Sequence, residues 1–383
     1  MNRVILFMLG GFGIGALPDA DDYADAGTNT LAHLAEASGG VNLPALESLG
    51  LGHLGAVRGV RVMAQPSGCF GRLAFRSTGC DSLLGNWELA GCLVTEKATD
   101  YSSGYPEKLQ SELEQIFGKT LGNQVAFGPS VIRDLGKQHL SSKAPILWSD
   151  GHRTCHVAAH DTVLAADQLM RLCREARRAL KDPWGIWRVV AHPMTGQPGS
   201  WHYKPSRRDF SIEPPAQTML DVLGRANQIL IGVGKVGDLF SGRGFTKTLP
   251  SASWTAAFEE VDGMLNRVPR GLIYAGLDLF NDEPAGAAGS LHEFDRRLPH
   301  VLEQLRAGDL LVVTGDHGRH LAKKHRLPTR EYVPLLVTGP KLAQGVNLGV
   351  RSSAADLGQT VVEALLGEPL PVGESFLDAL QAG

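Results

Sequence analysis

An acidic and an imidazole side chain adjoin at Asp316 and His317, directly after the apolar run DLLVVTG. Carboxylate oxygens and neutral imidazole nitrogens are common ligands of divalent cations, so the pair could bind a metal ion. It could equally be structural, with the aspartate capping a turn and the histidine bonded to the backbone. Asp278 closes a second apolar run, GLIYAGLD, and is a weaker candidate because an aspartate at a strand end is commonly a turn residue.

Three further side chains could attack or bind an anionic group. Ser82 lies in the glycine-rich stretch TGCDSLLGNWELAG, where its hydroxyl could be exposed as a nucleophile or serve only to form a turn. Arg207, in KPSRRDFSIEPP, could bind phosphate through a bidentate contact or belong to a solvated surface. Lys235, in VGKVGD, could reach an anion or be a surface lysine.

Buried strands and amphipathic helices must position these side chains. Apolar runs that suit parallel strands buried on both faces are RVILFML, WRVVA, QILIGVG, GLIYAGLD, DLLVVTG and VPLLVTG. Stretches of helical period between them include TNTLAHLAEA, ADQLMRLCREARRALKD, QTMLDVLG, ASWTAAFEEVDGMLNRV, LHEFDRRLPHVLEQLRAG and SAADLGQTVVEALLG. The alternation predicts an α/β fold with a mostly parallel sheet flanked by helices. The loop after RVILFML, Asp278 and Asp316–His317 should then share one sheet edge, because chemistry in such folds lies beyond the carboxyl ends of the strands.

The length of 383 residues favours two domains. Residues 95–215 differ from their flanks in being punctuated by Pro, Ser and Gly and rich in His and Trp. We therefore predict a core formed by residues 1–94 and 216–383, with residues 95–215 inserted as a second domain.

Composition excludes several classes of partner. A formal charge of −3 gives no field that would attract nucleic acid, and no stretch is long and apolar enough to predict a membrane span. The five cysteines are odd in number and lack CxxC spacing, which predicts neither a disulfide framework nor a zinc knuckle. The N-terminal apolar run is followed by glycines instead of a cleavage site, so we predict a buried strand and a cytoplasmic protein. GGFGIG lacks the third glycine of a dinucleotide-binding turn and favours an active-site loop.

Seven motifs in this order resemble the bacterial phosphopentomutases of the alkaline phosphatase superfamily over nearly the whole chain. They are LGGFGIGALPDA, GCDSLLGNWELAG, SRRDFSIEPPAQT, VGKVGD, EFDRRLP, TGDHG and TREYVPLLVTGP. The resemblance implies an alkaline-phosphatase-like metal-binding core with a smaller α/β cap inserted. It also implies interconversion of ribose 1-phosphate and ribose 5-phosphate through a phosphorylated threonine held by two manganese ions.

The resemblance implies roles for residues of the core. Ser82 occupies the place of the phosphorylated threonine and keeps a hydroxyl nucleophile. Asp316 and His317 match two ligands of the metal that activates it, and Asp278 matches a ligand of the second metal. Lys235 falls in a matching motif.

The cap also contributes candidates for substrate binding. Arg207 falls where the family has an arginine on the substrate side. His152 stands where the family has an aspartate at its substrate pocket, and His192 stands in place of an arginine. We predict that these three residues contact the substrate.

Several family positions are changed in the metal site itself. The first-strand aspartate that binds the first metal is Gly10 here, and the histidine near the nucleophile is Asn86. The GHR that follows the second-metal aspartate is absent, and the histidine expected before TRE is Pro328. With so few ligands left, the sequence predicts at most one manganese site.

Three interpretations of the function remain open at this point. The first is a divergent phosphosugar mutase or phosphate-ester phosphoryl-transfer enzyme with a degraded di-metal site, acting on a small phosphorylated sugar or related ester. The alternative is a catalytically inactive pseudoenzyme that binds no metal and serves as a binding or partner subunit of another protein. The third is metal-free chemistry by His152, His156 and His160. If a metal site is kept, nearby side chains that could replace its lost ligands are Asp282, Glu283, His320 and His325.

Overall fold

The computed structural model describes residues 1–126, 128–180, 183–280, 284–321 and 327–381. The chain divides into two compact units. The larger unit comprises Met1–Thr95, Pro214–Gly237 and Gly242–Gly383, and the smaller unit comprises Glu96–Glu213 and Asp238–Ser241. No helix among the described residues is long and apolar enough to cross a membrane.

Strands and helices alternate along most of the chain. The strands are β1 (Arg3–Leu9), β2 (Cys69–Leu73), β3 (Leu121–Val125), β4 (Ile146–Ser149), β5 (Thr154–His160), β6 (Arg188–Gln197), β7 (Ser200–Tyr203), β8 (Arg208–Ser211), β9 (Leu230–Gly234), β10 (Lys247–Leu249), β11 (Gly271–Leu277), β12 (Asp309–Gly315), β13 (Gly318–Arg319), β14 (Pro328–Thr329), β15 (Val333–Thr338) and β16 (Asn347–Arg351). The helices are α1 (Thr30–Ala37), α2 (Pro44–Ser48), α3 (Ser82–Leu89), α4 (Glu107–Phe117), α5 (Gly128–Ser142), α6 (Ala166–Ala179), α7 (Met219–Arg225), α8 (Val236–Leu239), α9 (Trp254–Leu265), α10 (Pro284–Glu303) and α11 (Ala355–Leu366). Each predicted apolar run forms a strand, and each predicted stretch of helical period contains an α-helix.

The sheet of the larger unit has the order β10-β9-β11-β1-β12-β15-β2-β16. Its neighbours are parallel except at β15, which runs antiparallel to both β12 and β2. The predicted α/β class with a mostly parallel sheet is confirmed. The expectation that VPLLVTG forms a parallel strand is wrong, because an apolar run reports burial on both faces and carries no information on the direction of its neighbours.

The central strands are buried at every position, since helices cover both faces of the sheet. On one face, the ring of Phe7 in β1 packs 5.5 Å from that of Phe258 in α9 and 5.5 Å from that of Phe294 in α10. The strand register pairs Leu9 with both Leu277 and Gly315, so β1, β11 and β12 end at one edge. This alignment is what brings the residues after those strands together.

The smaller unit has a mixed sheet of order β3-β4-β5-β6-β7, with β8 paired to β6. The strand β6, which contains RVVA of the run WRVVA, is parallel to β5 and antiparallel to β7 and β8. One apolar cluster contains α4 and α6, through residues such as Leu113 and Leu169. A second contains α5 and Trp148. The unit is therefore an α/β layer structure with its own core.

Candidate active site

Side chains from four separate segments of the larger unit meet beyond the ends of β9, β11, β12 and at the start of α3. Lys235 follows β9, Asp278 follows β11, and Asp316 with His317 follows β12. Ser82 is the first residue of α3. The structure thus brings together the five residues of the larger unit that the sequence analysis selected.

Ser82 is held by the way α3 begins. The side chain of Asp81 caps the helix, accepting hydrogen bonds from the backbone N–H groups of Leu83 at 2.7 Å and Leu84 at 3.2 Å. One turn later, Gly85 permits close packing, because a Cβ there would lie 2.0 Å from the carbonyl oxygen of Asp316. The expectation of an exposed hydroxyl is not met, since Ser82 is only 8% exposed.

Ser82 makes a direct contact with His317. Its Oγ lies 3.0 Å from Nε2 of the imidazole, and Nδ1 of the same ring lies 2.6 Å from the carbonyl oxygen of Gly318. A carbonyl can only accept, so Nδ1 carries a proton, and in the neutral ring Nε2 then accepts from the serine hydroxyl. Burial lowers the pKa of His317, which favours the neutral ring. The arrangement is that of a nucleophile beside its base.

Asp316 is buried and hydrogen-bonded on both carboxylate oxygens. Its Oδ1 accepts from the N–H of Gly11 at 3.0 Å, and its Oδ2 accepts from Nδ2 of Asn86 at 3.2 Å. Burial raises the pKa of this carboxyl, but His317, Lys235 and the Gly11 N–H lower the pKa by more, so it lies below its usual value. Lys235 is the cationic side chain among these neighbours, with its ammonium 4.0 Å from Oδ2 of Asp316.

The ammonium of Lys235 lies inside this group of side chains. It forms an ion pair with Asp278, lies 3.3 Å from Oγ of Ser82 and 4.0 Å from Oδ2 of Asp316. The lysine side chain is 12% exposed. The ammonium is therefore a resident cation between two carboxylates and the candidate nucleophile.

Gly10 follows β1 and adjoins the same ion pair. A Cβ at this position would lie 2.8 Å from Oδ1 of Asp278 and 2.9 Å from Nζ of Lys235. Both distances are shorter than real Cβ contacts, so a larger residue would require the two side chains to move. The absence of a side chain at position 10 leaves room for the lysine.

Two of the cap candidates lie in one cluster of the smaller unit. Nε2 of His192 lies 3.0 Å from Nδ1 of His156, and its ring packs 5.1 Å from that of Trp148. Burial, followed by Arg207 and Arg188, lowers the pKa of His192 well below its usual value. Arg207 itself pairs with Asp209 at 3.0 Å.

His152, the third cap candidate, has a different environment. It is exposed and lies in the turn before β5. Its backbone N–H donates to Oδ1 of Asp150 at 2.9 Å. The structure thus places Arg207 and His192 in one electrostatic neighbourhood and leaves His152 at a solvent-facing turn.

Two supporting residues were not selected from the sequence. The hydroxyl of Tyr274, in β11, donates to Oδ1 of Asn86 at 2.6 Å and so orients the amide that contacts Asp316. The guanidinium of Arg330 donates to the carbonyl oxygens of Phe75, Ser77 and Gly79 and pairs with Asp19 at 2.9 Å. Arg330 lies in the motif TREYVPLLVTGP, which was the only available signal for it, and Tyr274 had none beyond its place in a buried run.

Comparison with known proteins gives matches across the whole chain. The Metalloenzyme superfamily model matches residues 281–369. The phosphopentomutase of Desulfitobacterium hafniense is 38% identical over 99% of this chain and 100% of its own length. That of Anaeromyxobacter dehalogenans is 39% identical over 98% of both chains. A solved structure of an alkaline phosphatase superfamily protein from Vibrio parahaemolyticus covers 98% of this chain and 69% of its own at 10% identity and a TM-score of 0.42.

These relatives imply a metal cofactor, and the described side chains do not fit one. Among the residues that the structure describes, no group of three or more His, Cys, Asp or Glu side chains could hold a metal ion. The ammonium of Lys235 pairs with one candidate ligand and adjoins the other. Of the possible replacement ligands, Asp282, Glu283 and His325 lie outside the described residues. His320 is described, and its backbone N–H donates to the carbonyl oxygen of Leu327 at 3.1 Å.

Proposed function

Because the chain belongs to the phosphopentomutase family, we propose that it transfers phosphoryl groups to and from a small phosphorylated sugar, with Ser82 as the acceptor. The observation that carries this proposal is the 3.0 Å contact between Oγ of Ser82 and Nε2 of His317. A serine hydroxyl is a weak nucleophile unless a base removes its proton, and this imidazole is placed and protonated to do so.

The transfer to the protein is one displacement at phosphorus. Oγ of Ser82 forms the new P–O bond, its proton passes to Nε2 of His317, and the bond between phosphorus and the sugar oxygen breaks. The departing oxygen takes a proton from solvent while His317 releases its own, so protons balance. In the return step a sugar hydroxyl attacks the phosphoserine and loses its proton to solvent. The bond between phosphorus and Oγ breaks, and Oγ takes a proton from Nε2 of His317, which has taken one up from solvent.

Phosphoryl transfer depends mainly on neutralising charge at the transferring oxygens and on holding the reactants in line. The ammonium of Lys235, 3.3 Å from Oγ of Ser82, is the cation closest to the acceptor among the contacts described above. No step here is assigned to a metal ion, because the described ligand set does not fit one.

We assign the smaller unit the role of a substrate-binding cap, with predicted bounds 95–215. The guanidinium of Arg207 suits a phosphate group, and His152 and His192 are candidates for contacts to the sugar. This assignment is supported by the family's substrate-side motif SRRDFSIEPPAQT and by the positive neighbourhood that Arg207 and Arg188 create around His192.

The direct test is to incubate the purified protein with ribose 5-phosphate, with and without EDTA, and then with added Mn²⁺. We expect one phosphoryl group on Ser82, seen by intact mass and located by peptide fragmentation. Ser82→Ala should lose it, whereas the control Ser251→Ala should keep it. Absence of turnover and of phosphoserine, with or without any divalent ion and with a sugar bisphosphate as activator, would refute the proposal.

The pseudoenzyme remains the second candidate, and a specific observation favours it. Lys235 forms an ion pair with Asp278, which matches a metal ligand of the family, and Gly10 lacks a carboxylate. A protein of this kind would bind ribose 5-phosphate in calorimetry without converting it. Its role would then be that of a subunit that binds another protein.

A further inference from the structure

The side chains of Ser82, Asp278, Asp316 and His317 form a cleft around the ammonium of Lys235. We infer that this ammonium takes the place of divalent ions there, so that the cleft excludes them. The consequence for cation binding stands by itself. The consequence for catalysis, that Ser82 works without a divalent metal, rests on the proposed function.

The first support is the position of the ammonium. It contacts Asp278 through an ion pair and the hydroxyl of Ser82 at 3.3 Å, and it lies 4.0 Å from Asp316. A divalent ion shared by these oxygens would need the volume that the ammonium fills. It would also meet a like charge at close range in a partly desolvated site, where repulsion is strong.

The second support is the charge of the group. The ammonium of Lys235 contacts Asp278 and lies 4.0 Å from Asp316, so it compensates part of the negative charge of the two carboxylates. The guanidinium of Arg319 is a further positive group beside the loop that follows β1, with its Nε 3.2 Å from where a Cβ at Gly11 would be. A divalent ion would therefore meet less uncompensated negative charge than the two carboxylates alone would offer.

The third support is the relationship between Gly10 and Lys235. The lysine head group stands 2.9 Å from where a Cβ at position 10 would be. A carboxylate at position 10 and the ammonium in its present place exclude each other sterically. Both neighbours of that Cβ are ends of flexible side chains, so removing the lysine would open the space.

The inference is tested by measuring the affinity for Mn²⁺ alone in the natural protein and in two variants. The natural protein, stripped with EDTA, should show no saturable Mn²⁺ binding at micromolar concentrations in calorimetry or by the electron paramagnetic resonance of free Mn²⁺. Lys235→Met removes the charge at similar length and should tighten Mn²⁺ binding at least tenfold. The double variant Gly10→Asp with Lys235→Met adds a carboxylate and should bind more tightly again, because each ligand adds to the affinity.

Two controls separate this role from a general charge effect. Lys204→Met removes another lysine that pairs with an aspartate, Asp161 at 3.2 Å in the smaller unit, and should leave Mn²⁺ binding unchanged. Lys235→Arg keeps the charge and should continue to exclude Mn²⁺. Circular dichroism establishes that each variant is folded, and the titration of the natural protein requires no variant at all.

The outcomes distinguish this inference from the proposed function. Tight binding of two Mn²⁺ ions by the natural protein, or no gain in Lys235→Met, would overturn the inference whether or not the protein is active. A natural protein that excludes Mn²⁺ and also fails to phosphorylate Ser82 would leave the inference standing and refute the proposed function. Ser82 phosphorylation that requires Mn²⁺ would support the proposed function and overturn the inference.

Discussion

Oγ of Ser82 and Nε2 of His317 lie 3.0 Å apart although 235 positions separate the two residues in the chain. The contact exists because α3 packs against the loop after β12, with Gly85 against the backbone of Asp316. The hydroxyl therefore has a base beside it in a buried setting, which is the geometry on which the first prediction depends.

Replacing His317 by Gln should slow the phosphorylation of Ser82 by about 100-fold or more, the usual loss when a general base is removed. Glutamine keeps a polar group of similar reach but cannot take up the proton. Quenched-flow sampling with intact mass detection gives the rate. His53→Gln, at an exposed histidine of the same unit, is the matched control, and equal rates in all three proteins would show that the contact is only structural.

Asn86 connects Tyr274 to Asp316, so its loss should destabilise the larger unit. Asn86→Leu leaves the tyrosine hydroxyl and one carboxylate oxygen without this partner, and we expect the free energy of unfolding to fall by about 1–3 kcal/mol. Tyr274→Phe should cost less, about 0.5–1.5 kcal/mol. The double variant should lose less than the sum, because both changes remove the same hydrogen bond.

Urea unfolding measures these differences. Tyr332→Phe, at a half-buried tyrosine just before β15, is the control for losing a hydroxyl in the same unit. Strict additivity of Asn86→Leu and Tyr274→Phe would contradict the proposed connection.

Arg330 should act as a positioning residue for Ser82. Arg330→Met removes the donor shared by the carbonyl oxygens of Phe75, Ser77 and Gly79, just before α3. We expect faster amide exchange in peptides covering residues 75–82 and slower phosphorylation of Ser82. Arg297→Met, at a partly exposed arginine of α10, should leave both unchanged. Normal exchange at 75–82 in Arg330→Met would rule out this role.

The smaller unit should lose stability in mild acid. Burial, followed by neighbouring positive charge, lowers the pKa values of His156 and His192 well below normal. In the unfolded chain these groups titrate near about 6.5. Below that pH the unfolded chain binds protons that the folded unit does not, so stability is complete above about pH 6.5 and declines as the pH falls, by up to about 1.4 kcal/mol per unit for each histidine.

Amide exchange of β5 and β6 peptides between pH 7 and 5, corrected for intrinsic rates, follows this decline. His192→Phe removes one titrating group and should make the decline shallower. His202→Gln, at an exposed histidine of β7, should leave the steepness of the decline unchanged. A stability of these strands that is independent of pH would show that the histidines are not enclosed as described.

Much of the architecture follows from local pattern. Runs such as RVILFML and DLLVVTG are long enough and apolar enough to predict β1 and β12, and the alternation with helices predicts the class of fold. The ends of β1, β11 and β12 share an edge because parallel strands in such sheets are aligned. That rule was sufficient to expect Asp278 beside Asp316 and His317.

Contacts between segments that are distant in the sequence could not be predicted from such local patterns. The antiparallel direction of β15 depends on how its chain returns to the sheet, and the apolar content of the run is the same in either direction. Tyr274 orients Asn86, and Arg330 donates hydrogen bonds to the segment before α3. Both interactions likewise join side chains to groups that are distant in sequence. No periodicity in a single chain records such contacts.

The sequence by itself therefore determined the family, the α/β class and the small set of polar residues at the ends of the strands. Only the tertiary structure decided what those residues do to one another: His317 lies against Ser82, and Lys235 enters the space that Gly10 leaves open. The physical reason is that residue type sets which charges and hydrogen-bonding groups are present, whereas their effect depends on separations of a few ångströms that only packing establishes.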